Sequence, residues 1–379
     1  MSPQHIETLI IGAGPSGLAV AACLTEKGQA CAVVDARATP GATWTTHYER
    51  LHLHTAKRYS HLPHKPMPKA YPRYPSRQQV IDYLADYAAH FKLALHLETR
   101  VTRAAHKDGV WHVTTEKAAQ PGPTWTARNL VIASGYNGVP HLPPFPGRDD
   151  FQGEVVHSAH YGNGKRFAGK RVLVIGSGNS GAEIAIDLVE SGASPALCIR
   201  GPLHVVPKEI MGMPAQRTTI LMSKLPPRLA DKLTYPIIKR VIGDLRQWGI
   251  QRPALGPLEQ IAKRGRIPLI DVGTVALIKQ GQIKVVGAIE RFTAQGVVLT
   301  SGEAAPFDAI VMATGYRPAL DRYLEGVESV TDDRGYPTVF GREAIIPGLF
   351  FCGFRNPSTG ALRESSIEAR RIAKAIAAA

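Results

Sequence analysis

The sequence Gly12-Ala13-Gly14-Pro15-Ser16-Gly17 has the GxGxxG spacing of a phosphate-binding loop, and it lies between a short apolar run and a stretch rich in small residues. The apolar run, 8–11, predicts a β-strand, and residues 18–24 predict a helix that can pack closely on a sheet. A second apolar run, 31–34, ends at Asp35. This order of strand, glycine loop, helix, strand and acidic residue predicts a βαβ unit that binds a dinucleotide.

A second glycine loop, Gly176-Ser177-Gly178-Asn179-Ser180-Gly181, follows another apolar run and precedes a helix predicted from about residue 180 to residue 190. The next predicted strand, 196–199, ends at Arg200. A carboxylate at this position accepts hydrogen bonds from an adenosine ribose, whereas a guanidinium pairs with a ribose 2′-phosphate. Asp35 therefore predicts an FAD or NAD site, and Arg200 predicts an NADPH site. The alternative for Arg200 is a solvated surface charge.

The composition is that of a soluble globular protein: of the 379 residues, 44% are hydrophobic and 20% are charged, and the length suffices for two domains. No apolar stretch reaches the roughly 18 residues of a membrane span, and no signal-peptide pattern precedes the first strand. We therefore expect a cytoplasmic protein. The four cysteines are widely separated without a C-x-x-C pair, so neither a zinc ribbon nor a redox-active dithiol is expected.

The net charge of +14, from 45 Lys and Arg against 31 Asp and Glu, favours anionic partners through long-range steering. Nucleotides, acidic substrates and anionic surfaces all fit this charge. The basic residues are scattered, with no aromatic-rich or helix-turn-helix pattern, so nucleic-acid binding is not expected. The sequence contains no signal for an oligomeric state.

Two β-rich segments, 101–133 and 289–312, each end in a glycine turn, at Gly135 and Gly315. These turns bring backbone to the carboxyl ends of strands, where open α/β sheets bind ligands, and we expect the chain to pass between two domains there. The predicted fold class is α/β with two Rossmann-like dinucleotide-binding domains, an FAD domain and an NADPH domain inserted in it. The FAD domain is predicted to span 1–165 and 300–379, and the NADPH domain 166–299.

Between Leu221 and Trp248 apolar residues recur every four positions, which predicts helices interrupted by prolines. Lysines and arginines line the other faces. This segment could lie on an anionic membrane surface as a weak contact, or it could pack over the nucleotide domain and roof a substrate pocket. The small-residue loop 353–360 offers the first cofactor another helix N-terminus, or it simply precedes a C-terminal packing helix.

The linker Phe151-x-Gly153-x-x-x-His157-x-x-x-Tyr161 has the form FxGxxxHxxx(Y/F), and through it the chain resembles the flavin-containing monooxygenases. The segment 312–316 resembles the second signature of that family. Within the family the chain is most similar to the YUCCA branch, which converts indole-3-pyruvate to indole-3-acetate. That similarity extends over nearly the whole chain, through the segments 48–54, 74–84, 204–207, 252–257 and 271–274.

The resemblance implies that NADPH reduces bound FAD, that dioxygen adds to the flavin, and that the C4a-(hydro)peroxide transfers one oxygen atom to the substrate. Attack of the peroxide on the ketone of a 2-oxo acid would release CO₂ and leave a shorter carboxylic acid. His54 stands where N- and S-oxygenating relatives carry asparagine, which favours an aromatic 2-oxo acid such as indole-3-pyruvate as substrate. The alternatives are N- or S-oxygenation and Baeyer–Villiger oxidation with the same cofactors.

Two further alternatives change the class of protein. A disulfide reductase with two nucleotide sites shares the predicted architecture but needs a dithiol. A non-catalytic nucleotide sensor would bind the cofactors without turnover.

The residues predicted to bind cofactors lie in the two loops, at the strand ends and in the glycine turns. For FAD they are Gly12, Gly14, Pro15, Ser16, Gly17, Asp35, Arg37, Trp44, Leu53 and His54. For NADPH they are Gly176, Ser177, Gly178, Asn179, Ser180, Gly181 and Arg200, with His204 and Lys208 as weaker candidates. Gly135, Gly315 and Gly353 are predicted to bring backbone to the cofactors.

His54 and Lys57 are the predicted catalytic residues, which would stabilise a peroxyanion or hold a substrate carboxylate. The alternative is that both are ordinary polar residues of a flavin pocket or of the surface. The neighbouring histidines are joined by no carboxylate or cysteine at a ligand spacing, so no metal site is expected.

Overall fold

The computed structural model describes residues 2–379, which divide into two compact units. Unit 1 comprises the described residues up to Thr45, then Thr55–Val139 and Tyr316–Ala379. Unit 2 comprises Thr46–His54 and Pro140–Gly315. Each unit is built on its own sheet with parallel central strands, which confirms the predicted α/β class with two Rossmann-like units.

The described strands and helices follow one another along the chain with short connections. The strands are β1 Gln4–Ile11, β2 Cys31–Val34, β3 Leu95–His96, β4 Arg100–Lys107, β5 Val110–Lys117, β6 Gln120–Pro121, β7 Trp125–Ile132, β8 Val139–Pro140, β9 Glu154–His157, β10 Arg171–Ile175, β11 Ser194–Cys198, β12 Val205–Pro207, β13 Glu209–Ile210, β14 Met213–Pro214, β15 Leu269–Asp271, β16 Lys284–Val286, β17 Ile289–Thr293, β18 Gly296–Leu299, β19 Ala304–Pro306, β20 Ala309–Met312, β21 Tyr316–Arg317 and β22 Leu349–Phe351. The helices are α1 Pro15–Thr25, α2 Lys57–Ser60, α3 Arg77–His90, α4 Asn179–Glu190, α5 Ala215–Met222, α6 Pro227–Ile242, α7 Pro257–Arg264, α8 Thr274–Lys279 and α9 Ala361–Ile376.

The sheet of unit 1 has the strand order β3-β2-β1-β7-β5-β4, and β22 also pairs with β7. β1 is parallel to β2 and β7, whereas β5 is antiparallel to β7 and β4. The central strands β1 and β7 are continuously apolar where they pair, and Leu9, Ile10, Leu130 and Val131 are fully buried. A continuous apolar run is typical of a strand that is covered on both faces.

The sheet of unit 2 has the order β16-β11-β10-β20-β9, and all its neighbours are parallel. β9 and β20 pair within this sheet and therefore share its core. The compact unit accordingly runs from Pro140 to Gly315, wider than the 166–299 expected from the sequence. The assignment of FAD to unit 1 and NADPH to unit 2 stays a prediction.

The segment with four-residue apolar spacing forms α5 and α6, as the sequence predicts. Pro227 is the first residue of α6, where its missing N–H is not needed, and Pro236 lies inside the helix. Ala230 and Ile242 are buried, and Ile242 belongs to the core of unit 2. Among residues 2–379 no helix combines the length and apolarity needed to cross a membrane.

Candidate functional site

The first glycine loop leads directly from β1 into α1. Gly12 has a φ of +111°, and a Cβ on it would lie 2.6 Å from the carbonyl oxygen of Ala133. A Cβ on Gly17 would lie 1.8 Å from the carbonyl oxygen of Gly12. No described atom lies within 4 Å of a Cβ built on Gly14, so space is open beside the N-terminus of α1. Open space at a helix N-terminus suits the pyrophosphate of a dinucleotide.

Asp35 lies at the end of β2 and is tied to this loop. Its Oδ2 accepts a hydrogen bond from the N–H of Ala13 at 2.6 Å, and its Oδ1 accepts one from the N–H of Arg37 at 2.8 Å. Each carboxylate oxygen can accept more than one hydrogen bond, so a ribose hydroxyl can still donate to Asp35. The predicted contact with a ribose is compatible with this geometry and stays a prediction.

Three other predicted residues of unit 1 lie near the first loop. A Cβ on Gly353 would lie 1.9 Å from the Oγ of Ser16, which in turn lies 2.9 Å from the Oγ of Ser365 in α9. The short helical turn that contains Trp44 is anchored by the N–H of Gly41, which donates to the carbonyl of Ala13 at 2.8 Å. Gly135 follows Ala133, the residue that Gly12 approaches.

The second glycine loop repeats the backbone geometry of the first. Gly176 has a φ of +122°, and its Cβ would lie 2.3 Å from the carbonyl oxygen of Ala313. A Cβ on Gly181 would lie 1.9 Å from the carbonyl oxygen of Gly176, whereas one on Gly178 would meet no described atom within 4 Å. Both loops therefore use glycine for close backbone approach and leave the middle glycine facing open space.

This second loop lines a cavity of about 520 Å³ that lies wholly within unit 2. Two guanidinium groups also line it, those of Arg200 and Arg266, and both side chains are exposed. Two positive charges beside a glycine loop suit a ribose 2′-phosphate. The remaining lining residues are His141, Pro143, Pro144, Phe145, Ile175, Gly176, Ser177, Gly178, Cys198, Ala288, Ile289, Ala313, Thr314 and Gly315.

Arg266 was missed by the sequence analysis because it belongs to no motif. It lies between α7 and β15, just after Lys263 and Arg264, in a chain where basic residues are common. Only the fold brings it beside Arg200. A basic residue shortly before a strand of the second unit would have been the available signal, but it is a weak one.

The segment Thr46–His54 is attached to α4 by two acidic side chains one helical face apart. Arg50 donates two hydrogen bonds to Glu190, at 2.8 and 2.9 Å. His54 Nε2 is hydrogen-bonded to Oε1 of Glu183, whose residue is only 2% exposed. The other carboxylate oxygen of Glu183 is buried without a hydrogen-bond partner among the described residues.

Two further titratable groups lie near Glu183. Burial, followed by the negative charge of Glu183, raises the pKa of Tyr48 well above its usual value. Burial lowers the pKa of the half-buried Lys208, while Glu183 and Glu209 act in the opposite direction. Glu183 thus lies at the centre of a polar cluster, defined here as Tyr48, His54, Glu183 and Lys208. A carboxylate within the apolar face of the second loop's helix was the sequence signal for it.

The other predicted residues have structural contacts of their own. Lys57 donates three hydrogen bonds to backbone carbonyls, those of Pro68 at 3.2 Å, Lys69 at 2.7 Å and Tyr71. A lysine has three donors, so in this structure none is left for a substrate carboxylate. Asn179 Oδ1 accepts from the N–H of Ile270 at 2.9 Å. Their predicted functional roles stay predictions.

His204 and the linker motif are also explained by contacts within unit 2. His204 is 1% exposed, and its Nε2 donates to the carbonyl of Leu255 at 2.7 Å. His157 Nε2 donates to the carbonyl of Gly315, and its Nδ1 accepts from the N–H of Ala159, both at 3.1 Å. Tyr161 donates to Asp187 at 2.7 Å. The motif therefore fastens the strand end of β9 to the glycine turn at 315 and to α4.

Known proteins were compared with this chain and its structure. Residues 9–209 match the family described as pyridine nucleotide-disulphide oxidoreductase. The chain is 39% identical to indole-3-pyruvate monooxygenase YUCCA1 of Oryza sativa subsp. japonica, over 97% of this chain and 90% of that protein. It is also 39% identical to indole-3-pyruvate monooxygenase YUCCA6 of Arabidopsis thaliana, over 97% of this chain and 89% of that protein.

Solved structures share the whole fold. A flavin-containing monooxygenase from Stenotrophomonas maltophilia has a TM-score of 0.76 and 26% identity, and the match covers 99% of each chain. A cyclohexanone monooxygenase from Rhodococcus sp. Phi1 bound to NADP⁺ has a TM-score of 0.77 at 20% identity, covering 100% of this chain and 85% of that one, and supports the fold alone. The chain belongs to the YUCCA family of flavin-containing monooxygenases, whose members use FAD and NADPH.

Proposed function

We propose that this flavin monooxygenase converts an aromatic 2-oxo acid of the indole-3-pyruvate type into the carboxylic acid that is one carbon shorter. The observation that carries the proposal is 39% identity, over 97% of the chain, with proteins named indole-3-pyruvate monooxygenases. The net charge of +14 supports an acidic substrate through electrostatic steering.

The residues present fit both cofactors. The first loop, with Gly12, Gly14, Gly17 and the anchored carboxylate of Asp35, would hold FAD. The second loop, with Arg200 and Arg266, would hold NADPH. Bound FAD supplies the reaction with dioxygen, and NADPH supplies the two electrons.

The overall reaction balances without another reactant. One oxygen atom of dioxygen enters the new carboxylate, and the other leaves as water. The bond between the ketone carbon and the original carboxylate breaks, and that carboxylate leaves as CO₂. The hydride of NADPH and one proton from solvent supply the hydrogens of the water.

The polar cluster around Glu183 would handle a proton in this reaction. The ring of His54 and the carboxylate of Glu183 hold one proton between Nε2 and Oε1. The buried position of Glu183 keeps this pair away from bulk water, and Lys208 supplies a nearby positive charge. In our proposal these residues hold the proton and orient the imidazole of His54, which takes the place of the asparagine of heteroatom-oxygenating relatives.

A second candidate function is oxygenation of nitrogen or sulfur. It is favoured by the 26% identity and the TM-score of 0.76 with the flavin-containing monooxygenase from Stenotrophomonas maltophilia. A disulfide reductase is disfavoured because burial raises the pKa values of Cys23, Cys31 and Cys198 to about 11, which keeps these thiols protonated and unreactive.

The decisive experiment is product analysis under isotopically labelled dioxygen. Enzyme with NADPH is given indole-3-pyruvate, phenylpyruvate, trimethylamine or a cyclic ketone. We expect the arylacetic acids, with one labelled oxygen atom in the new carboxylate. Tight coupling of NADPH oxidation to the amine, with only hydrogen peroxide formed from every 2-oxo acid, would reject the proposal in favour of heteroatom oxygenation.

A further inference from the structure

The helices α5 and α6 carry a row of large apolar side chains that is open to solvent. Leu221 is 61% exposed, Leu229 45%, Leu233 54%, Ile237 51% and Val241 52%. Within α6 these residues recur every four positions and therefore form one stripe, which we call the outer stripe. A contiguous exposed apolar patch on a folded protein marks an interaction surface.

The fold holds the outer stripe in this orientation. The opposite face of α6 is packed, since Ala230, Asp231 and Ile242 are buried. Asp231 accepts hydrogen bonds from the N–H groups of Leu258 at 3.0 Å and Glu259 at 2.9 Å, at the start of α7. Burying the stripe inside unit 2 would require breaking these contacts.

The charged residues beside the outer stripe are positive. Lys224, Lys232 and Arg240 are exposed, and within residues 2–379 they form no ion pair. The acidic residues of this stretch do not compensate them, because Asp231 is buried and Asp244 is paired with Arg246 at 2.7 Å. The outer face of α5 and α6 therefore combines apolar side chains with unpaired positive charge.

We propose that this outer face docks on an anionic lipid bilayer, with α6 lying in the plane of the membrane surface. Apolar side chains would enter the boundary of the acyl chains while the lysines and arginines contact anionic headgroups. The 16 residues of α6 extend about 24 Å, less than the roughly 30 Å of a hydrocarbon core, which fits a helix that lies on the surface. Met211, 94% exposed in the hairpin just before α5, adds another apolar group.

Charge favours a lipid surface over a second copy of this chain. In a two-fold contact the same face meets itself, so Lys232 and Arg240 of each copy would approach the same residues of the other. Like charges at an interface oppose association, whereas anionic headgroups neutralise them.

Vesicle co-sedimentation tests the proposal. We expect the holoenzyme to bind phosphatidylcholine vesicles that contain phosphatidylserine, to bind pure phosphatidylcholine weakly, and to dissociate at high salt. The variant L229Q/L233Q/I237Q should lose on the order of tenfold in the partition coefficient per side chain, and K232Q/R240Q about fivefold per charge. Glutamine keeps the helix propensity of the replaced residues.

Matched controls separate the outer stripe from general basicity. I345Q removes an apolar residue that is 78% exposed in unit 1, and K117Q/K284Q removes two exposed lysines elsewhere. Both controls should bind vesicles like the unchanged chain, and all variants should keep their flavin content and thermal unfolding temperature. Equal binding by L229Q/L233Q/I237Q would overturn the proposal.

Absence of binding to anionic vesicles at low salt would also overturn it. So would a dimer in solution that L229Q/L233Q/I237Q converts to a monomer, because the stripe would then be an interface between copies. Neither result depends on the substrate, so the proposed reaction can stand or fall separately.

Discussion

The two glycine loops have nearly the same backbone and very different side-chain surroundings. Gly12 and Gly176 have φ values of +111° and +122°, and Cβ atoms on Gly17 and Gly181 would lie 1.8 and 1.9 Å from the first glycine of their own loops. Both units thus solve the close approach of helix and strand in the same way.

The units differ in how charge is placed beside the loop. In unit 1, Asp35 is fixed by hydrogen bonds from the N–H groups of Ala13 and Arg37. In unit 2, Arg200 and Arg266 line an open cavity with exposed side chains. The difference teaches that recognition in unit 1 is part of the folded backbone, whereas recognition in unit 2 is added by flexible side chains. Substitutions should therefore separate fold from cofactor choice more cleanly in unit 2.

The largest effect is expected from Gly17→Ala in unit 1. The new Cβ would collide with the backbone oxygen of Gly12, which cannot yield as a flexible side chain can, so we expect a cost above about 4 kcal/mol. The measurement is the yield of soluble protein with bound flavin. Gly287→Ala is the control, because no described atom lies within 4 Å of its Cβ. Normal flavin content in Gly17→Ala would contradict the tight packing of this loop.

The next effect concerns cofactor choice in unit 2. Arg200→Ala and Arg266→Ala should each lower kcat/KM for NADPH by about 10- to 100-fold, because a charge-assisted hydrogen bond contributes about 1.5–3 kcal/mol. Activity with NADH, which has no 2′-phosphate, should change little, and flavin content should stay normal. Equal losses with both cofactors would mean that the two arginines hold the fold and do not select the cofactor.

The glycine geometry could be predicted from sequence because backbone constraints are local. The spacing in Gly12–Gly17 and the apolar runs beside it were enough to predict the loop, the helix and the parallel strands. Arg266 and Glu183 could not be predicted with the same certainty, because their neighbours come from distant segments. The boundaries of unit 2 differed from expectation since β9 pairs in its sheet from the far side of the linker motif.

The two predicted catalytic residues allow a sharper comparison, because His54 belongs to unit 2 and Lys57 to unit 1. Glu183→Gln should keep NADPH oxidation but divert about tenfold more of it to hydrogen peroxide, since the orienting charge of His54 is lost. In a His54→Gln background the same change should add little, because coupled residues are not additive. Additive losses would show that Glu183 acts independently of His54, for example by supporting the fold.

Lys57→Met should instead lower stability and leave coupling unchanged. Three backbone carbonyls lose their donor, and we expect a cost of about 1–3 kcal/mol in the free energy of unfolding. Urea unfolding and the ratio of product to NADPH consumed measure the two properties separately. Unchanged stability together with increased peroxide release would restore Lys57 as a catalytic residue.

The smallest expected effect is the acid sensitivity of unit 2. Burial lowers the pKa of His157 and of His204 below the usual 6.5, although hydrogen bonds to the carbonyls of Gly315 and Leu255 oppose it. Between the lowered pKa and 6.5 the unfolded chain binds more protons than the folded one, so stability rises with pH through that window and is lost as pH falls.

The slope should not exceed about 1.4 kcal/mol per pH unit for each histidine. Unfolding free energies measured from about pH 5 to about pH 7.5 test this, and His204→Gln should flatten the profile, with His112→Gln on the exposed face of β5 as the control. Unit 1 contains one such group in His96, whose pKa is also lowered by burial. If the acid loss followed His96→Gln and not His204→Gln, unit 1 would be the acid-sensitive part of the molecule, and the contrast between a rigid first unit and an adaptable second one would not extend to stability.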